Sequence, residues 1–259
     1  MIQYPNINPV IFHIGPFQIR WYAIMYIISF IIAYFLLRKL YKEDDIKVKK
    51  QDYENLFFYI MLGVVIGGRF GYILFYNLSD CIRNPLEVFA VWHGGMSFHG
   101  GMIAVIILSY IFCRKHHYEF YKLADATAVV APIGLALGRL GNFINAELYG
   151  RPTNLPWGMI FPGEKIARHP SQLYELFLEG IVLFIILYIL RKRIHKKGFV
   201  FWSFICGYGI FRFLVEFVRE PDAQLGFVIW HFTMGQVLSS FMIISAIIGY
   251  ISIFKRTNA

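Results

Sequence analysis

The run MGQVLSSFMIISAIIGYISIF, residues 234–254, contains no charged side chain and ends against Lys255 and Arg256. A helix needs about 20 mostly apolar residues to cross the hydrocarbon core of a bilayer. The stretch therefore reads as a transmembrane helix with a cationic tail. Working outward from it, the chain offers six more such runs, roughly Ile19 to Leu37, Leu56 to Tyr76, Met96 to Phe112, Asp125 to Leu140, Leu173 to Leu190 and Phe199 to Val218. The run from Asp125 is rich in Gly and Ala and holds Pro132, which suits close helix packing better than lipid exposure.

Composition agrees. Hydrophobic residues make up 58% of the 259 and charged residues only 16%, against roughly 25% charged in soluble domains. The apolar runs recur at even intervals with no separate soluble module. The expected fold is all-α: a polytopic integral membrane protein of about seven transmembrane helices, residues 1–259 forming one transmembrane catalytic domain. The opening stretch has no basic residue before Arg20 and is broken by Pro5, Pro9 and Pro16, so it does not read as a secretory signal.

The formal net charge of +9 does not point to nucleic acid, because the cations sit in short loops between apolar runs. Arg38, Lys39, Lys42, Lys47, Lys49 and Lys50 follow the first span, Arg114, Lys115 and Lys122 the third, Arg191, Lys192, Arg193, Lys196 and Lys197 the fifth, and Lys255 and Arg256 the last. The alternate loops hold Arg83, Arg151, Lys165, Arg168 and Arg219. Sixteen against five predicts the N-terminus outside and the C-terminus in the cytoplasm.

Arg20 sits at the outer end of the first span, while Arg69, Arg139 and Arg212 lie inside or at the edge of spans. Charge at such depth costs several kcal/mol and normally faces the bundle interior with a task. Arg69 and Arg212 are each about 13 residues, roughly 20 Å, beyond the cytoplasmic start of their spans. The membrane cations thus gather towards one leaflet. A solute transporter, the main rival reading, is expected to place its polar groups near the midplane, with broken helices in both halves. A receptor or scaffold has less use for such a cluster. The echoes His93-Gly-Gly-Met/His99-Gly-Gly-Met and Gly68-Arg69-Phe70-Gly71/Gly138-Arg139-Leu140-Gly141 are too short to support an inverted repeat.

Four stretches carry candidate chemistry. Gly138-Arg139-Leu140-Gly141-Asn142-Phe143-Ile144-Asn145-Ala146-Glu147-Leu148-Tyr149-Gly150 packs Arg139, Asn142, Asn145 and Glu147 into nine residues. A guanidinium matches two phosphate oxygens in a fork, and glycine lets backbone approach a ligand closely. A glycine-capped polar helix end is the alternative. In the second stretch, Arg212 to Asp222, Arg212 and Glu216 share a helix face at i, i+4, with Tyr208 one turn before them; here the alternative is a structural ion pair. The third, Ser97-Phe98-His99-Gly100-Gly101-Met102, offers a histidine able to take a proton near neutral pH, or one merely satisfied by a helix terminus. The fourth, His169-Pro170-Ser171-Gln172-Leu173-Tyr174-Glu175, is explained as a helix start with Pro in the first turn. Arg20-Trp21-Tyr22 opens the first span. All fall on the predicted outer side and suggest one site for an anionic headgroup, open sideways to lipid.

On these residues the chain resembles the bacterial phosphatidylglycerol–prolipoprotein diacylglyceryl transferases over essentially its whole length. The Gly138 to Gly150 stretch fits that family's signature, and the Arg20-Trp21-Tyr22, His99-Gly100-Gly101, His169 to Glu175 and Arg212 to Asp222 stretches resemble family blocks in the expected order. Ala23 and Ala104 stand where glycine would be common; neither change removes a functional group.

The resemblance implies a multi-pass enzyme of the bacterial cytoplasmic (inner) membrane, working at the outer leaflet among membrane lipids. Its substrates would be phosphatidylglycerol and prolipoprotein signal peptides with a lipobox cysteine. The thiol would attack the glycerol carbon bearing the phosphate, forming a thioether and releasing glycerol 1-phosphate. Arg139 and Arg212 would stabilise charge on the leaving phosphate. His99 is the candidate base for a thiol whose ordinary pKa is near 8.5. Tyr22, Asn142, Asn145, Glu147, Gly150, Tyr208 and Glu216 would bind or orient the headgroup, Glu216 by fixing Arg212. Neither metal nor cofactor is called for. The substrate supplies the nucleophile, so Cys81, Cys113 and Cys206 are expected to be dispensable.

Overall fold

The computed structural model describes residues 2–15, 17–89, 95–221 and 226–255. Pro16, His93, Asp222 and Arg256, each used above, lie outside them. Among the described residues seven apolar helices follow in order: α1 (Trp21–Glu43), α2 (Lys50–Tyr76), α3 (Phe98–His116), α4 (Phe120–Ile144), α5 (Ser171–Arg193), α6 (Phe199–Val215) and α7 (Met234–Lys255). Six are long enough to cross a membrane by length and composition; α6 is shorter. The protein is thus a mostly helical, multi-pass membrane protein. Among the described residues three two-stranded sheets accompany the helices, a detail that no hydrophobic periodicity announced.

Burial is inverted relative to a water-soluble protein. Ile27, Ile31 and Phe35 of α1 and Phe241, Ile244, Ile247, Ile248 and Ile251 of α7 are exposed, whereas Gln172, Glu175, Glu179, Arg212 and Glu216 are buried. Lipid tails are as apolar as isoleucine, so apolar side chains can face outward at no cost and polar ones must find partners inside.

The chain divides into two compact units. The first comprises Met1–Lys39, Asp125–Pro221 and Gly235–Ala259. Within it, small residues let helices touch: a Cβ on Gly180 of α5 would stand 2.5 Å from the Ala136 Cβ of α4, and one on Gly249 of α7 would stand 2.2 Å from the Trp202 ring of α6. The N-terminus of α6 begins at Gly198, which has no side chain to cap it. Asp125 of α4 does so instead, its carboxylate accepting from the backbone N–H of Gly198 and of Phe201, both at 2.7 Å. A capping carboxylate satisfies donors that the helix itself leaves open.

Beyond the helices, Ile2–Gln3 pairs in parallel with Met159–Ile160, and Val10–Ile14 pairs antiparallel with Phe17–Arg20. The Tyr4 hydroxyl donates to the carbonyls of Phe143 and Ile144, at 2.9 and 2.8 Å. Its ring packs with Phe143 and Phe161. This apolar cluster, joined by Met159, Ala146 and Tyr149, anchors the chain as it leaves α4.

The second unit comprises Leu40–Ala124 and Asp222–Met234. Its α2 and α3 are welded by glycine: a Cβ on Gly71 would lie 2.4 Å from the Gly100 Cα, and one on Gly67 would lie 2.7 Å from the Gly100 carbonyl oxygen. The Ser97 side chain accepts from the Gly100 N–H and caps α3. Arg69 is buried here, with Nε donating to the Val88 carbonyl at 3.2 Å and Nη1 to that of Gly95 at 3.4 Å.

Candidate active site

Arg139, placed by the apolar pattern at the outer end of its span, lies a full turn inside α4, because the helix continues to Ile144. From there Arg139 reaches α5. Its Nε pairs with Glu175, and its Nη2 stands 3.9 Å from Glu179. Arg212 approaches the same two carboxylates from α6. Its Nη1 is 2.9 Å from Glu175 Oε1 and 3.9 Å from Glu179 Oε1, and its Nη2 is 2.9 Å from Glu216 Oε2. Arg219 adds a third cation, 3.1 Å from Glu175 Oε1. Three arginines and three glutamates therefore interlock, with Glu175 as the hub.

Such a cluster belongs in the interior because each charge answers another. Taking an ion out of water costs several kcal/mol, which only close opposite charges and hydrogen bonds offset. Tyr208, fully buried on α6, stands near enough to feel the charges of Arg139, Arg212, Glu175 and Glu179.

The signature stretch wraps this cluster. Asn142 accepts from Arg139 Nη1 at 3.4 Å and donates to Glu147 Oε1 at 2.8 Å; Asn145 donates to the same oxygen at 3.2 Å. The turn that brings Glu147 back places Ala146 and Leu148 at φ of +53° and +58°, a left-handed conformation uncommon without glycine. It is held by the start of α5. Gln172 Nε2 donates to the Glu147 carbonyl at 2.6 Å and Ser171 Oγ to that of Leu148 at 3.0 Å. Tyr22 packs on Gly141, faces the Tyr26 hydroxyl at 3.2 Å, and feels the charges of Arg139 and Glu147.

Gly150 marks a backbone junction. Its N–H donates to the His169 carbonyl, and the next N–H, of Arg151, donates to that of Val218. A Cβ there would stand 2.3 Å from the Val218 oxygen. This pairing ends α6 at Val215, where the spacing of apolar residues had carried it to Val218: the chain turns so that Val218 can accept. Arg219, counted above among loop cations, is buried by the same turn.

An outer ring of charge lies on the loop. The Tyr149 hydroxyl donates to Glu164 at 2.7 Å; Arg168 bridges Glu164 and Glu220, both at 2.9 Å. The Tyr149 hydroxyl and the Arg168 guanidinium hold the Glu164 carboxyl below its ordinary range. Burial lowers the His169 imidazole, whose Nδ1 is 3.2 Å from the Tyr174 hydroxyl.

The first unit therefore brings together Arg139, Arg212, Glu216, Asn142, Asn145, Glu147, Gly150, Tyr22 and Tyr208. His99 belongs to the second unit, buried in the first turn of α3 beside the Phe98 ring. The reading of sequence missed Glu179 and took Glu175 for part of a plain helix start. The signal was available: two carboxylates four apart inside an apolar run demand cationic partners.

The sequence profile of the prolipoprotein diacylglyceryl transferases matches residues 9–252. The chain belongs to that family. It is 54% identical to the phosphatidylglycerol–prolipoprotein diacylglyceryl transferase of Geobacter sulfurreducens over 92% of each chain. The enzymes of the same name from Bordetella bronchiseptica and Vibrio campbellii are 50% and 48% identical, over 95% of this chain and 95% of the relative, and 98% and 94% respectively. Membership makes the chain a transferase of lipoprotein biosynthesis.

Proposed function

We propose that the chain transfers the diacylglyceryl group of phosphatidylglycerol to the lipobox cysteine of a prolipoprotein, the first step of lipoprotein maturation. The observation that carries the site assignment is the pair Arg139–Arg212, converging from α4 and α6 on one buried carboxylate hub. The cysteine sulfur attacks the glycerol carbon that bears the phosphate. The C–O bond breaks, its electron pair leaves with the phosphate oxygen, and glycerol 1-phosphate departs. Charge grows on that phosphate, and preorganised guanidinium donors are worth a few kcal/mol each at such a point.

Glu216 orients Arg212, while Asn142 connects Arg139 to Glu147 and Asn145. Tyr22 and Tyr208 supply hydroxyls towards the headgroup. His99 is assigned the thiol proton, and Gly150 the close backbone approach that fixes the signature turn. The loop charges support an N-terminus outside a bacterial inner membrane and a site at the outer leaflet, within one catalytic domain of residues 1–259.

The test is to incubate the purified protein in detergent with phosphatidylglycerol and a lipobox peptide. The expected result is peptide carrying diacylglycerol in thioether linkage, by mass spectrometry, with an equal amount of glycerol phosphate released. A folded protein that forms neither product from verified substrates overturns the assignment; flux of anions in liposomes would then be the next measurement.

A further inference from the structure

Glu179 is fully buried in the π-helical segment Leu176–Val182 of α5. Widened π turns inside α-helices are frequent at functional sites. Among the described residues neither of its carboxylate oxygens has a hydrogen-bond partner. Its nearest cations, Arg139 of α4 and Arg212 of α6, each stand 3.9 Å away, on different oxygens. Glu175 from its own helix, Arg219 and Tyr208 also lie within electrostatic reach of it. Its companions are committed differently: Glu175 takes three arginines, and Glu216 a 2.9 Å pair with Arg212.

With all six side chains ionised, the three arginines and three glutamates balance. A phosphodiester settling on Arg139 and Arg212 adds one uncompensated negative charge in a region of low dielectric, where that costs far more than in water. One proton restores balance. On Glu175 or Glu216 it would disrupt a close ion pair; on Glu179 it breaks no hydrogen bond and weakens only two longer contacts, freeing guanidinium edges for phosphate. We propose that Glu179 takes up a proton as the anionic headgroup binds, and so acts as a positioning residue that couples lipid binding to protonation. This rests on the headgroup assignment made above.

Calorimetric titration of short-chain phosphatidylglycerol into the detergent-solubilised protein, in buffers of different ionisation heat, counts the protons. The expected uptake is about one per lipid, with affinity falling by up to about tenfold per pH unit on the alkaline side. In Glu179→Gln, uptake is expected to vanish and affinity to become independent of pH. Lipid binding by the wild-type protein without proton uptake overturns the proposal and leaves the headgroup site standing. Uptake that persists in Glu179→Gln overturns it equally. A folded wild-type protein that binds no phosphatidylglycerol overturns the headgroup site, and this proposal with it. The wild-type count needs no variant to fold.

Discussion

Two salt-bridge networks lie within the first unit, built from the same residue types at nearly the same distances. In the helices, Glu175 receives Arg139, Arg212 and Arg219 and is 1% exposed. On the loop, Arg168 bridges Glu164 and Glu220, with Glu220 half open to solvent. Geometry does not separate them; depth does. Water screens the loop network and repays its ions when a partner is lost, whereas the buried network has no such reserve. The buried arginines are therefore held at high cost by carboxylates that must stay in place, and the loop arginine braces a turn.

Glu175→Gln should sharpen this contrast most. It strips the carboxylate from three arginines, and breaking a buried pair costs about 3–5 kcal/mol. Denaturation in detergent should show a loss of that order, and a change under about 1 kcal/mol would place the cluster in water after all. Gly150→Ala comes next. The added methyl meets the Val218 carbonyl, and overpacking of this kind costs about 1–3 kcal/mol. Arg168→Ala should cost at most about 1 kcal/mol, as partly solvated pairs do. A larger loss would erase the distinction between the networks.

The smallest effect is on pH. Glu164 is held below its ordinary value of 4.5, so its contribution to the loop is present above that value and lost as pH falls through the lower, folded value. Amide exchange of residues 149–168 should loosen only in acid, and Glu164→Gln should abolish that step while leaving neutral-pH behaviour near that of an already loosened loop.

Much of this was legible in the chain because the bilayer imposes simple rules. Seven runs such as Met234 to Phe254 announce themselves, and Arg212 with Glu216 falls on one face by spacing alone. What stayed hidden depended on long-range contact. That Glu175 is a hub for three arginines requires α4, α5 and α6 to meet, which no local pattern encodes. The burial of Arg219 follows from a turn pinned by Arg151, 68 residues away. Short strands such as Ile2–Gln3 are set by a distant partner, Met159–Ile160, and carry too few residues to show a period.

The most direct test of the central claim compares Arg139→Ala with Arg168→Ala in the diacylglyceryl-transfer assay, both confirmed folded by monodisperse elution and unchanged helical content. Loss of a donor aimed at developing charge should cut turnover by about 10²–10³-fold for Arg139→Ala, with Arg168→Ala close to wild type. A folded Arg139→Ala protein that turns over at the wild-type rate would contradict the assignment of the buried arginine cluster to the chemistry.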